Sequence, residues 1–394
     1  MTVTGALAAS RSSVVYQWGQ FGGGAPGRGS GFAQQRHLLL GSPDGVGPVR
    51  FSPTVVRGLH GRIVQVATSN SDSYALTASG AVYAWGAGSQ GELGDGTLRR
   101  LSLRAVRVHL PVGVRIRALA NPMPYDGAMA IGSGGSVWAW GNDRSREFCQ
   151  PSGRILRTPI RVPLSRVSLA VGALRHAVYD SAGQILSCGA GPVGQLGDGT
   201  RGPAARTGTP VRVLGLPPAR AVALTSGWGN AGVLMAGGHY YDWGYNRSGQ
   251  VGDGTRLMAT TAVPVALPHP VRQVFEGGSY GDNGQTIALL SSGAAWEWGN
   301  GRFGQLGNGN RRGSLRPVRL RALRGLRLVS IGSGGSTTYA IDGAGGLWAW
   351  GNNRVAQLGD GTLARVALRP VRDPIRVSQI SSTAHNVVAL GATG

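Results

Sequence analysis

The sequence predicts an all-β fold, a seven-bladed β-propeller of four-stranded blades whose ring is closed by N- and C-terminal strands sharing one blade. Three observations carry the prediction. The first is an aromatic-Gly step that recurs as Trp18-Gly19, Trp85-Gly86, Trp140-Gly141, Trp243-Gly244, Trp298-Gly299 and Trp350-Gly351, with Cys188-Gly189 in the remaining slot. The spacings are 67, 55, 48, 55, 55 and 52 residues, the size of one propeller blade. The second is a pair of features in register with the step. Five residues before it lies a glycine (Gly80, Gly135, Gly183, Gly238, Gly293, Gly345), and ten after it the centre of a Gly-Asp-Gly box (Asp95, Asp198, Asp253, Asp360, with Asn308 in a fifth copy). The third is that the two chain ends complement each other.

Each unit reads as strands in order. Tyr74-Ala75-Leu76-Thr77, then Ser79-Gly80, then Val82-Tyr83-Ala84-Trp85 is an apolar run, a tight turn and a second run, the pattern of a hairpin. The glycine supplies the positive φ that the turn needs. A Gly-rich loop follows, Ala87 to Thr97, and then a further strand such as Val106-Arg107-Val108. Four short strands in about 50 residues cannot bury both faces alone, so neighbouring units must stack. No helical period is sustained. At the ends, Ala389-Leu390-Gly391-Ala392-Thr393-Gly394 aligns with Ala75-Leu76-Thr77-Ala78-Ser79-Gly80, and Val14-Val15-Tyr16-Gln17-Trp18 supplies the strand that should come next. A blade built from both ends removes the open sheet edge. Residues 1–394 are therefore expected to form a single domain, with a Gly-rich insertion at about 20–50 in blade one.

The 394 residues carry 39 basic and 17 acidic side chains, a balance of +22, and every basic residue is arginine because lysine is absent. A hydrophobic content of 41% supports a packed core, and 14% charged residues exclude a coiled coil. No run approaches the ~18–20 apolar residues of a membrane helix. The first residues lack the basic segment of a signal peptide, and Cys149 and Cys188 are too few for a disulfide framework. A cytoplasmic monomer is the expectation, with a secreted protein lacking its signal peptide as the alternative.

The boxes Gly91-Glu92-Leu93-Gly94-Asp95-Gly96, Gly194-Gln195-Leu196-Gly197-Asp198-Gly199 and Gly304-Gln305-Leu306-Gly307-Asn308-Gly309, with Gly249 to Gly254 and Gln357 to Gly361, resemble the regulator of chromosome condensation repeat. The resemblance, of the bacterial type, covers essentially the whole chain. It implies the propeller but not one function, because its members include exchange factors, ubiquitin-ligase modules, photoreceptors and secreted inhibitors. No residue here carries over guanine-nucleotide exchange. Two units depart from the pattern. Blade one keeps its box only as Gly27-Arg28-Gly29, and blade three has Cys149-Gln150-Pro151 where Gly-Asp-Gly should stand, which reads as a weakened turn.

The boxes themselves offer too few carboxylates for calcium, and their Asp is expected to brace a tight turn. No metal or cofactor is expected. The resemblance usually places Gly-x-x-His before the first hairpin strand. The slots here hold Asp72, Gly127, Arg175, Asn230, Gln285, Thr337 and Asn386, with His176 and His385 one residue away. It also implies that these loops converge on one face around the central channel. The candidate ligand-binding set is Asp72, Tyr125, Asp126, Arg175, His176, Trp228, Asn230, Tyr280, Asp282 and His385, which combines aromatic anchors with carboxylates and imidazoles.

Arginines crowd the segments between each box and the next blade: Arg99, Arg100, Arg104 and Arg107; Arg157, Arg161 and Arg166; Arg311, Arg312, Arg316, Arg319, Arg321, Arg324 and Arg327; Arg365, Arg369, Arg372 and Arg376. They should lie on the outer rim. Aromatics are not interleaved with them, so stacking on nucleic-acid bases is not suggested. The leading functional reading is a non-catalytic scaffold that binds a protein or peptide through the loop face. A small-molecule enzyme of cyclase or isomerase type, using His176, His385, Asp72 and Asp126, is one alternative. Electrostatic association of the arginine rim with nucleic acid is the other.

Overall fold

The structure is a computed structural model and describes residues 14–20, 49–278, 284–362, 364–383 and 385–392. Seven antiparallel blades form the ring. Blade one combines β1 (Val15–Gln20) and β2 (Val49–Val55) with strands from the other end of the chain. Blades two to six are the four-strand meanders β3–β6 (63–107), β7–β10 (116–161), β11–β14 (167–212), β15–β18 (221–264) and β19–β22 (271–319). Blade seven is β23–β25 (328–352) with the first part of β26 (Val366–Ser382). The far part of β26 runs on into blade one, where it pairs with β27 (Asn386–Gly391), and β27 pairs with β1. Blade one is therefore closed by two strands from each end of the chain. The expected insertion in blade one falls largely on residues outside those described. Among the described residues the helical content is one 3-10 turn, Ser133–Gly135.

The hairpin glycines adopt the positive φ the turn demands, from 77° to 86° across Gly80, Gly135, Gly183, Gly238, Gly293 and Gly345. The glycine of the aromatic-Gly step has a different reason. At Gly86, Gly189 and Gly244 a Cβ would come within 2.3–2.4 Å of the carbonyl oxygens of Ser71, Arg175 and Gly229. Only a residue with no side chain lets the third strand of each blade approach the loop between the first and second.

The step also fastens blade to blade. Each indole is at most 1% exposed, and its N–H donates across a blade boundary to a box carbonyl of the preceding blade. The bonds are Trp140 to Glu92 (2.8 Å), Trp243 to Gln195 (3.0 Å), Trp298 to Gln250 (2.8 Å), Trp350 to Gln305 (2.9 Å) and Trp18 to Gln357 (2.8 Å). At the blade one–two boundary Trp85 donates instead to the Gln17 side chain (2.7 Å). The ring packs on the first glycine of the box: a Cβ on Gly94, Gly197, Gly252, Gly307 or Gly359 would lie 2.6–2.9 Å from an indole atom. These glycines also hold φ between 60° and 82°.

The remaining boundary, between blades three and four, replaces both halves of this clasp at once. Cys188 stands in the tryptophan slot and Cys149 in the slot of the box glycine, and they form a disulfide with Cα atoms 5.3 Å apart. Cys149 keeps the glycine's backbone, with φ 54°. Without the indole there is room for its Cβ, and the covalent bond supplies the contact that the indole makes elsewhere. Two expectations from the sequence are corrected here. Two cysteines do make a bridge, and Cys149-Gln150-Pro151 is an inter-blade tie rather than a weakened turn. A disulfide of this kind contributes about 2–4 kcal/mol. We expect a reductant to lower the thermal midpoint by several degrees. The double variant Cys149→Gly/Cys188→Trp should restore the repeat's own clasp and make the midpoint insensitive to reductant; calorimetry with and without dithiothreitol checks both.

Candidate functional site

In every blade the residue after the aromatic-Gly step donates its backbone N–H to the loop joining the first two strands. The pairs are Gln20 to His385, Ala87 to Ser71, Asn142 to Asp126, Ala190 to Arg175, Tyr245 to Gly229, Asn300 to Gly284 and Asn352 to Ser336, at 2.7–3.3 Å. The inner loops and the box loops thus lie side by side at one end of the ring. The inner loops of blades one to four also bond one another. Asn70 N–H donates to the Tyr125 carbonyl (3.0 Å), Tyr125 N–H to that of Ala173 (3.2 Å), and Thr383 Oγ1 to that of Asn70 (3.3 Å).

The candidate residues divide by depth. Asp72, His176 and Asn230 are fully buried behind the loops. Tyr125, Asp126, Trp228 and His385 are half-buried, and Arg175 is exposed. Tyr280 and Asp282 lie outside the described residues. His176 faces Ser226 Oγ through Nε2 (3.1 Å) and the Leu174 carbonyl through Nδ1 (3.3 Å). Burial pulls its pKa down to about 4, so it is neutral at physiological pH. Trp228 meets Tyr245 edge-on with centroids 5.8 Å apart, a partner the sequence reading missed. Among the described residues no three His, Cys, Asp or Glu side chains gather in a way that could hold a metal. The boxes are turn braces: Asp95, Asp198, Asp253 and Asp360 each accept the backbone N–H of the Thr two residues on, at 2.8–3.1 Å.

Beneath the loops lies a set of buried carboxylates that periodicity alone does not reveal. Burial, with neighbouring carboxylates adding to it, holds Asp72 well above the usual range. It raises Glu92 to about 7, Asp126 to about 6, Asp143 to about 7 and Glu147 to about 8, the last three partly opposed by nearby arginines. Across the ring, the Tyr240 hydroxyl lies 2.8 Å from Glu276 Oε1 and 3.0 Å from Asp242 Oδ2. One phenolic proton cannot satisfy two ionised acceptors, so this trio also favours a retained proton, and burial raises Glu276 to about 7.

The arginines named from sequence do sit on the outermost strands and connectors, nearly all exposed. One expectation changes in three dimensions. Cross-strand pairing puts Arg107 opposite Tyr83, Arg161 opposite Trp138, Arg319 opposite Trp296 and Arg372 opposite Trp348. Aromatics are therefore interleaved with the outer arginines in space, though not along the chain.

A ring of seven blades with loops gathered at one end defines a propeller with a presenting face. Its repeat is similar to that of the RCC1 propellers. The model of the regulator of chromosome condensation (RCC1) repeat matches residues 292–341. Human E3 ubiquitin-protein ligase HERC2 is 26% identical over 315 residues, covering 76% of this chain and 6% of that protein. The ultraviolet-B receptor UVR8 of Arabidopsis thaliana is 29% identical over 266 residues, covering 66% of this chain and 58% of the receptor. The chain thus spans less than two thirds of these relatives. Among solved structures, human WBSCR16 superposes with a TM-score of 0.80 at 19% identity, covering 97% of this chain and all of that one. Prp20p of Saccharomyces cerevisiae gives 0.77 at 22%, covering 98% and 93%. These likenesses establish the shared fold.

The buried acids make a prediction about pH. Their pKa values lie above those of the unfolded chain, so the folded state holds more protons between about pH 4 and pH 8. Their stabilisation is full below that window and is lost as pH rises through it. The thermal midpoint should therefore fall between pH 5.5 and pH 8.5, read by scanning fluorimetry; a midpoint that climbs across this range would contradict the retained protons.

Proposed function

We propose that the chain is a non-catalytic binding propeller that engages a protein or peptide partner through the end of the ring formed by the inner and box loops. One observation carries this reading: Tyr125, Asp126, Arg175, Trp228 and His385 reach the surface on inner loops that are each bonded to the box strand of their own blade, those of blades one to four being bonded to one another as well. Aromatic and arginine side chains on a rigid frame form the kind of patch that anchors a partner at little entropic cost. Solved relatives of this fold include yeast RCC1 (Prp20) bound to Kap60, and Prp20p, studied for its binding to Gsp1p and histones. The cyclase-like alternative finds less support, since His176 and Asp72 are enclosed and on different blades. The Cys149–Cys188 bridge supports the secreted alternative, because disulfides persist in oxidising compartments.

A second reading has its own observation. The outer arginines recur at one register position in five blades, Arg107, Arg161, Arg212, Arg319 and Arg372, and their direct cross-strand partners are uncharged. That surface would attract a polyanion, with affinity falling steeply in salt.

The test is capture from source lysate and medium by immobilised protein, with nuclease present. A discrete protein retained at about 0.5 M salt supports the leading reading. Trp228→Ala with Tyr125→Ala should reduce its capture at least severalfold with an unchanged melting curve. Retention of nucleic acid alone, lost at high salt, would transfer the function to the outer strands.

A further inference from the structure

Charge is segregated by depth in this molecule. Every described Asp and Glu is buried except Asp126, Asp198, Asp253 and Asp360, and those four are only half-buried. Three of the four are occupied in bonding the Thr two residues on. The described surface therefore offers no fully exposed carboxylate; the ion pair at contact distance between described residues is Arg99 with Asp95, at 2.5 Å, while Arg175 also lies near Asp126 and Glu147, and Arg372 near Asp342.

Within that surface, the loop face has an arginine set of its own. Arg144, Arg247, Arg302 and Arg354 each stand four residues after the Trp of the aromatic-Gly step, in blades three, five, six and seven. All four are exposed at the start of a box loop, at the end of the ring where the inner loop of blade four carries exposed Arg175. Two come together across a blade boundary. The guanidinium carbons of Arg302 and Arg354 lie 6.0 and 5.1 Å from the centroid of the Phe303 ring. A ring face holds cations in place, and guanidinium groups so held present their donor edges in the geometry that grips carboxylates in bidentate fashion.

We propose that the partner segment seated on the loop face is an acidic polypeptide, its carboxylates taken by Arg144, Arg175, Arg247, Arg302 and Arg354. This rests on the reading of that face as the binding face and adds the chemistry of what it binds. Tyr125, Trp228 and Phe303 stand among these arginines, and aromatic residues with arginine are the types enriched in protein interfaces, where Asp and Glu are depleted. A phosphate chain, drawn by charge density, would settle instead on the more numerous arginines of the outer strands. A second copy of this chain has no exposed carboxylate among its described residues to offer the face.

Fluorescence anisotropy on the full chain separates these cases. The probes are a fluorescein-labelled peptide of alternating Glu and Tyr, one of alternating Lys and Tyr, and a single-stranded DNA of equal length. Two variants lose the same charge from exposed positions: Arg302→Ala/Arg354→Ala on the loop face and Arg319→Ala/Arg372→Ala on the outer strands. The proposal expects the Glu-Tyr peptide to bind, the Lys-Tyr peptide not to, and the loop-face variant to weaken binding about tenfold against less than about twofold for the outer variant. Equal weakening by both variants, or binding of the Lys-Tyr peptide, would overturn it, as would failure of the acidic peptide to bind or a preference for DNA lost only in the outer variant. The two readings fail separately. Capture that depends on Trp228 but not on Arg302 and Arg354 leaves the binding face standing and removes only its acidic partner.

Discussion

The bond from each buried indole N–H to a carbonyl of the preceding blade is the contact on which this molecule depends. A four-stranded blade cannot bury both faces alone, and the indole joins the apolar packing between blades to a directional bond. It also explains why glycines are obligatory at two places per unit. One lets the strand carrying the Trp approach the inner loop; the other leaves space under the ring. At the boundary of blades three and four, both halves of the clasp change together into Cys149 and Cys188, and a covalent bond takes the place of the indole contact.

The propeller, its closure and the hairpin turns were legible in the sequence because each rests on a local, repeated requirement such as a positive φ or an alternating strand. The disulfide was not. Cys149 and Cys188 are 39 residues apart, and their meeting is visible only when the box glycine of one blade is seen to underlie the tryptophan slot of the next. The turn-bracing role of Asp95 and its equivalents was readable from composition and spacing, since a lone carboxylate two residues before a Thr has a local partner.

The candidate site was legible only in part. The inner loops could be located from the hairpin glycine, but depth could not. Asp72, His176 and Asn230 follow their loops directly and turn inward with the first residues of the second strand, whereas Trp228 and Arg175 sit one or two residues earlier and stay at the surface. The arginines of the box loops do not stand out along the chain because the outer strands hold more of them. Glu92, Asp143 and Glu147 are not legible as a buried set, because nothing in their spacing distinguishes Glu92 from the glutamines at the same box position. Together these features give the protein an interior in which burial holds many carboxyls above their ordinary range, and an arginine-bearing exterior.

Hydrogen–deuterium exchange on the full chain, with and without a captured partner, tests the central claim most directly, that the ring is a rigid frame for one presenting face. The account predicts added protection confined to the inner loops around Tyr125, Arg175 and Trp228 and the box loops around Arg302 and Arg354, with the strands of all seven blades unchanged. Protection on the outer strands around Arg319 and Arg372, or at the hairpin-glycine end of the ring, would contradict it.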